Sequence, residues 1–382
     1  VEQLRVGFFT ECYRPIVNGI VASVDALAGG LRDQGHDVYL FTPKVPGYTE
    51  EADSETVRIP SLPLPATPYR LTLPLVSRRN LKGIIQRLSI IHAHSPFVTG
   101  WMGVGYARRF HIPLVYTYHT RLEQYAHYVP FDAATTRRAA SSLTRLYANA
   151  ADAVIVPTES MREHLLEVGV TARIDVVPSG IDLGVFGSGV RSDEVRARLG
   201  AQPEDRLAVF VSRLAREKNV ELLLLGLARV ADPHVKLALV GDGPAREWLE
   251  LQVQELGLGG RVAFTGELPR MALPNVYASA DAFVFPSVTE TQGLVLAEAM
   301  AGGCPIIAVD TPQARDVLAS YGKFVANDAT HLALELGRIE PPDRRQRELA
   351  LNRAERFGAG LQTERILSIY AELLAEEPAL AH

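Results

Sequence analysis

The sequence predicts an α/β protein made of two doubly wound parallel sheets facing a central cleft, and three observations carry that expectation. Short runs rich in β-branched and aromatic residues alternate with longer stretches of helical period, the pattern of parallel strands covered by helices. The series is interrupted by a segment packed with turn formers, Pro178-Ser179-Gly180-Ile181-Asp182 through Gly189, and then begins again. The length of 382 residues, 47% of them hydrophobic and 22% charged, is globular composition that suits two domains better than one.

In chain order, Val6, Phe8 and Phe9 mark a strand at 5–9, Val38 to Phe41 one at 38–41, and Val57 and Ile59 one at 57–59. Ile90 and Ile91 begin a strand at 90–93, Leu114 to Tyr118 form 114–118, Val154 to Val156 sit in 153–156, and Val176 and Val177 close 175–177. Helices are expected near 19–34, 74–88, 98–110, 133–150 and 158–168. The second series places strands at 207–211, 235–240, 262–265, 282–285, 306–308 and 323–325, each followed by a helical stretch. A last helix near 360–375 lies beyond the final strand and is free to dock on either unit. The expected domains are 1–185 and 186–357, with 358–382 returning to the first.

The formal net charge of −5 conceals an asymmetry: residues 56–150 hold twelve Lys and Arg against only Glu123 and Asp132. That block suggests an anionic partner surface, or a set of solvated helix faces. Cys12 and Cys304 stand far apart, so no disulfide framework or cysteine zinc site can be built, and a reducing cytosol is expected. No basic n-region precedes an apolar run at the start, and no stretch reaches the roughly 20 apolar residues of a membrane span.

The motif search removes several chemistries. Gly103-Val104-Gly105 and Gly241-Asp242-Gly243 both stop short of a complete G-x-G-x-x-G, and neither a Walker A sequence nor a G-x-S-x-G elbow occurs. A literal Asp-x-Asp, which would hold a nucleotide diphosphate through a divalent metal, is absent too. His119, Glu123 and His127, spaced four apart, could stack on one helical face and hold zinc. The aromatic surroundings favour a substrate-pocket wall instead, and no metal is expected. His92 and His94 at a strand end read as structural or as pocket-lining.

Four features converge on a phosphate-and-sugar site. The turn after the first strand contains Asn18-Gly19 and opens into a helix, where backbone N–H groups can approach an anion. Arg213 and Lys218 follow the first strand of the second half, and two cations there can neutralise a diphosphate. Gly241 to Pro244, and Thr265 to Leu268, follow later strands and would border the same cleft. Glu290 precedes a helix and Glu298 sits two turns inside it, with the N–H groups of Gln292, Gly293 and Leu294 between them.

Taken together, Glu290…Glu298, Arg213 with Lys218, Asn18-Gly19 and Pro178 to Asp182 resemble retaining glycosyltransferases of the GT-B fold, family 4. Phe9 to Gly19, Tyr118-His119-Thr120, Tyr125-Ala126-His127-Tyr128 and Thr289 to Gly293 resemble the 1,2-diacylglycerol glucosyltransferases within it. The resemblance implies a nucleotide diphosphate sugar donor, UDP-glucose in the first instance, and no cofactor. It implies catalytic roles for His119, Glu290, Arg213 and Lys218. Donor contacts would come from Gly19, Arg213, Lys218, Gly241, Thr265, Leu268, Glu290, Gln292, Gly293 and Leu294, and the ribose contact from Glu298.

The reaction implied is transfer of a hexose with retention of the α-configuration, the leaving phosphate assisting same-face attack. The acceptor is expected on the first domain, near Asn18, His94, Tyr125 and His127. A helical projection of 75–88 puts Leu81, Ile84, Ile85 and Leu88 on one stripe flanked by Arg78, Arg79 and Lys82, a pattern that suits an interfacial helix on an anionic bilayer. The expectation is therefore a cytoplasmic lipid glycosyltransferase, peripheral on the inner face of the plasma membrane. A family-4 transferase with a soluble acceptor such as a sugar phosphate or cyclitol is the alternative. A non-catalytic nucleotide- or nucleic-acid-binding protein is the alternative of another class, against which the lack of basic–aromatic modules counts.

Overall fold

The computed structural model describes residues 3–48, 55–64, 69–74, 78–124 and 132–376, with the backbone alone for 78–80. The chain forms two compact units, Val1–Gly180 with Ala359–His382, and Ile181–Gly358. The division falls at Gly180 and Ile181 rather than at 185/186. Ile181 and Phe186 are already buried in the core of the second unit, and Asp182 caps a short helix, Leu183–Gly187, by accepting from Val185 N–H at 2.9 Å. Part of the turn-rich connector is therefore structured and belongs to unit 2.

Unit 1 holds β1 (Arg5–Phe9), β2 (Asp37–Pro43), β3 (Thr56–Ile59), a hairpin of β4 (Ser61–Pro63) and β5 (Arg70–Thr72), β6 (Ile90–Ala93), β7 (Leu114–Thr117), β8 (Ala153–Val156) and β9 (Arg173–Val176). Seven of these form a parallel sheet in the order β3-β2-β1-β6-β7-β8-β9. Alternate residues of β1 feed different cores: Val6 and Phe8 join the one under helix Gly19–Asp33, and Phe9 joins the one under helix Val98–Phe110. The β4–β5 hairpin was not expected, because each strand is only three residues long in a Pro- and Leu-rich stretch.

Unit 2 holds β10 (Arg206–Val211), β11 (Val235–Val240), β12 (Val262–Gly266), β13 (Ala282–Phe285), β14 (Ile306–Val309) and β15 (Lys323–Val325), a parallel sheet in the order β12-β11-β10-β13-β14-β15. Leu207, Val209 and Val211 face one core, and Ala208 and Phe210 the other.

The last helix, Ala359–Ala375, leaves unit 2 behind and packs on Gly19–Asp33, adding Ile366, Ile369, Tyr370 and Leu373 to a unit 1 core. Gly30 allows that approach: a Cβ there would meet Thr363 Oγ1 at 2.1 Å. Among the described residues, no helix is long and apolar enough to cross a membrane.

One expectation is overturned here. The helix Arg78–Ile85 exists, but its apolar stripe is not offered to a bilayer: Leu81, Ile85 and Leu88 are buried in the unit 1 core and Ile84 packs against them. An amphipathic helix on a sheet spends its apolar face on that sheet, and only its polar face, with Lys82 exposed, is left outward.

Asp281, at the entry to β13, is buried and bonded to Arg191 at 2.7 Å and to the buried Arg196 at 3.0 Å, and it accepts from Leu207 N–H at 2.7 Å. It thus ties the start of β10 to that of β13. Asp281→Ala strands a buried guanidinium, and the expected cost is about 3–5 kcal/mol of unit 2 stability, read as a shifted denaturation midpoint.

Candidate functional site

Strand order decides what meets in each unit. In unit 2 the order reverses between β10 and β13, so the loops leaving their carboxyl ends are neighbours. The loop after β10 carries Arg213, passes through a 3₁₀ turn at Arg216–Lys218, and turns left-handed at Asn219, φ 57°. Asn219 Nδ2 donates to Pro286 O at 3.1 Å and to Asn327 Oδ1 at 2.9 Å, and Thr289 Oγ1 donates to Glu217 O at 3.2 Å. These bonds lace the β10 loop to the loops after β13 and β15. At their junction Lys218 Nζ donates to Glu290 Oε1, which also accepts from Ser287 Oγ at 3.2 Å. Lys218 is 15% exposed and Glu290 22%, so the pair is shielded yet open to a ligand. Arg213 is half exposed and pairs with Glu217.

The loops after β11 and β12 join the same edge. Leu214 N–H donates to Asp242 O at 2.9 Å, Gly241 N–H to Gly266 O at 2.9 Å, and Thr265 Oγ1 to Gly266 O at 2.9 Å. Leu268 is partly buried against the unit 2 core. Beyond Glu290, the buried Gln292 and the left-handed Gly293, φ 76°, lead into helix Leu294–Ala301. A Cβ on Gly293 would meet Phe285 Cζ at 2.8 Å, so the turn that aims this helix N-terminus needs glycine on both counts.

Glu298 lies a little over one turn into that helix, not two, and is buried. Its Oε1 is 2.9 Å from Arg270 Nη2, and its Oε2 accepts from Tyr277 OH at 3.0 Å. Burial pushes its carboxyl above the usual range, and Arg270 and Tyr277 oppose that. Neither partner carries a motif, and Arg270 is far from Glu298 in sequence, so no sequence signal pointed to them.

In unit 1 the reversal falls between β1 and β6. Asn18 caps helix Gly19–Asp33, its Oδ1 accepting from Val21 N–H at 3.0 Å while its Nδ2 donates to Cys12 Sγ at 3.1 Å, and Gly19 is exposed at the first helical position. Burial, opposed by that bond, raises the Cys12 thiol to about 11. Glu11, which sequence reasoning passed over, is the fastener of this edge. Its N–H donates to Ser95 Oγ at 2.9 Å, Oε2 accepts from Thr99 N–H at 2.9 Å and Oγ1 at 2.8 Å, and Oε1 accepts from Thr72 N–H at 2.9 Å.

Three histidines stack beside it. The His92 and His94 rings are 4.3 Å apart, those of His94 and His119 are 5.3 Å apart, and His94 Nδ1 is hydrogen-bonded to His119 Nε2 at 3.0 Å. His92 bridges Tyr370 OH at 2.6 Å and Thr117 Oγ1 at 2.7 Å. Burial lowers His92 to about 3 and His119 to about 4, and lowers His94 well below the ordinary value. The stack is therefore neutral at physiological pH and acts through hydrogen bonds rather than charge.

Of the four-spaced set His119, Glu123 and His127, the two described members, His119 and Glu123, do not share a helical face. His119 turns to His94, Glu123 bonds His164 at 2.6 Å and Arg121 at 3.3 Å, and His127, like Tyr125, lies outside the described residues. Among the described residues no group of three His, Cys, Asp or Glu is arranged to hold a metal. Arg78 and Arg79 open helix Arg78–Ile85, where only the backbone is described.

A model of Glycosyltransferase Family 4 matches residues 17–185, and one of Glycosyl transferases group 1 matches 191–349. The chain is 33% identical over 322 residues, 82% of it and 73% of the relative, to an alpha-monoglucosyldiacylglycerol synthase of Streptococcus pneumoniae. It belongs to glycosyltransferase family 4. A protein of the same description from Acholeplasma laidlawii is 31% identical over 80% of each chain. A GDP-mannose-dependent alpha-mannosyltransferase of Mycolicibacterium smegmatis is 33% identical over 83% of this chain and 82% of its own. The GT-B fold of an Anabaena protein crystallised with UDP and glucose superposes with a TM-score of 0.75 at 19% identity, over 97% of this chain and 100% of that one. The chain is thus a glycosyltransferase with two Rossmann-like halves of GT-B type.

The buried histidines of this family-4 chain impose a pH dependence of known sign. Their folded values lie below the ordinary 6.5, so the unfolded chain binds the extra protons. This stability is fully present above about pH 6.5 and is lost as pH falls towards the folded values. Melting curves from pH 7.5 to 5 should show a falling Tm, and His94→Asn should flatten that slope relative to the wild type.

Proposed function

We propose that this glycosyltransferase moves a hexose, glucose in the first instance, from a UDP-sugar to a lipid acceptor such as diacylglycerol at the inner face of an anionic membrane, with retention of the α-configuration and no metal cofactor. The observation that carries the reading is the Lys218–Glu290 pair, held at the β10/β13 reversal beside the helix that starts at Leu294. A shielded ion pair keeps a cation and a hydroxyl-binding carboxylate extended and ready before any ligand arrives. When a donor binds, Lys218 turns to the phosphates and Glu290 to the sugar hydroxyls, with Arg213 swinging from Glu217 to the same phosphates. Backbone N–H groups of Gln292, Gly293 and Leu294 support the sugar and phosphate, Gly241, Thr265 and Leu268 border the base, and Glu298 takes the ribose.

As the glycosidic bond breaks, an oxocarbenium-like centre forms and negative charge moves onto the β-phosphate. Cations and a helix N-terminus aimed there act more strongly on the transition state than on the bound donor. They also supply the charge that a metal would otherwise provide. On the acceptor unit, Asn18 holds the loop that opens helix Gly19–Asp33 in place. His119, kept neutral by burial, can make hydrogen bonds on the acceptor unit without bringing a positive charge to it. The lipid acceptor is supported by the likeness to the pneumococcal and Acholeplasma alpha-monoglucosyldiacylglycerol synthases. GDP-mannose is the competing donor, favoured by the mannosyltransferase relative that matches a similar share of the chain.

Purified protein given labelled UDP- and GDP-hexoses with EDTA, with and without diacylglycerol in anionic micelles, should make lipid-linked α-glucoside from UDP-glucose alone. Lipid-linked mannose would replace the donor, aqueous product alone would replace the acceptor, and activity that EDTA abolishes would replace the metal-free reading. Lys218→Ala should lower kcat/KM by about 10²–10³-fold with an unchanged melting temperature. Lys218→Arg should recover part of that loss.

A further inference from the structure

The β4–β5 hairpin presents its faces in the reverse of the usual surface arrangement. Leu62 pairs directly with Leu71, and Leu64 N–H donates to Tyr69 O at 3.1 Å, one step further along the ladder. The two-residue period of a strand puts these four side chains on one face. They are exposed by 53%, 44%, 40% and 39% for Leu62, Leu71, Leu64 and Tyr69. The polar residues point the other way. Thr72 is buried opposite Ser61, and Arg70 donates through Nε to Ser61 Oγ at 2.8 Å and through Nη2 to Ser61 O at 3.1 Å. Three leucines and a tyrosine held outward by a polar underside form a contiguous apolar face of the kind that marks a contact surface.

Charge identifies the occupant. From residue 56 to residue 122 the chain carries nine Arg and Lys and no Asp or Glu. Lys44, whose carbonyl accepts from Ser61 Oγ at 2.6 Å, is exposed at the base of the hairpin, and Lys82 is exposed on helix Arg78–Ile85. A second copy of the chain would set the exposed Lys44 and Lys82 against like charges. An anionic bilayer satisfies both parts, taking leucines into the acyl region, a tyrosine at the interface and cations at the headgroups. The hairpin is also joined to the reaction end of unit 1, because Glu11 accepts from Thr72 N–H and lies on the loop that continues to Asn18 and Gly19.

We propose that the exposed face of β4–β5 is the element with which this chain enters an anionic bilayer, bringing the 10–19 loop to the lipid surface. The inference rests on the lipid-acceptor reading above and replaces the helix Arg78–Ile85 as the apolar contact. The full chain and a Leu62→Ser/Leu71→Ser variant are sedimented with phosphatidylglycerol–phosphatidylcholine vesicles containing diacylglycerol, and donor hydrolysis without lipid is measured in parallel. The expected result is vesicle affinity and lipid glycosylation at least ten-fold lower, with hydrolysis and melting temperature unchanged. Leu62→Trp should gain affinity and be quenched by lipids brominated on their acyl chains.

Unchanged vesicle binding by the double variant, or no quenching of Leu62→Trp, overturns the inference. So does a double variant that keeps its vesicle affinity but turns from dimer to monomer in sedimentation equilibrium, which would make the face a contact between copies. If the wild type makes no lipid-linked sugar while its vesicle binding still depends on Leu62 and Leu71, the acceptor reading fails and the docking face stands.

Discussion

The reversal of strand order in each parallel sheet is the constraint from which the candidate site follows. A doubly wound sheet sends successive crossovers to opposite sides of its first strand, so two loops diverge there and leave a crevice at the carboxyl edge. In unit 2 those loops follow β10 and β13, and they carry Lys218 and Glu290, which are 72 residues apart in sequence. In unit 1 they follow β1 and β6, and they carry Glu11 and Ser95, which are hydrogen-bonded. Neither pairing needs a special fold of the loop itself. Both are consequences of which strands lie side by side.

What the two edges hold differs in kind. Unit 2 presents a shielded ion pair, a half-exposed arginine and a helix N-terminus, a set suited to charge that grows on a departing phosphate. Unit 1 presents a stack of neutral imidazoles fixed from behind by Tyr370 on the returning helix. A ring kept neutral by burial donates or accepts a hydrogen bond without a pH switch in the working range. The C-terminal helix therefore does more than close a core. It sets the ring nearest the sheet interior, on which His94 and then His119 are stacked.

The family resemblance and the loop residues at the β10 and β13 edges were legible because glycine, cations and carboxylates at strand ends follow local rules of turn and helix start. The central strands β1, β6, β7, β8, β10, β13 and β14 were legible too, since each is a largely apolar run buried along almost its whole length. What was not legible depended on facing. The stripe of Leu81, Ile85 and Leu88 is the same in sequence whether it meets a lipid or a sheet, and the sheet claims it. The hairpin at 61–72 was missed because strands of three residues with proline carry almost no periodic signal, yet it is the element with its leucines outward. The partners of Glu298 were not legible either, because Arg270 and Tyr277 lie on other elements.

The sequence by itself determined the alternation of strand and helix, the two-unit plan, the glycine and cap positions that open the loops, and the absence of a metal-binding Asp-x-Asp pattern, because each is encoded within about ten neighbouring residues. Tertiary structure decided which helix face is inward, where Glu298 and Glu123 find their partners, that residues 359–375 return to unit 1, and that three histidines share one stack. Those outcomes depend on contacts between residues distant in sequence, which packing selects and local pattern does not carry.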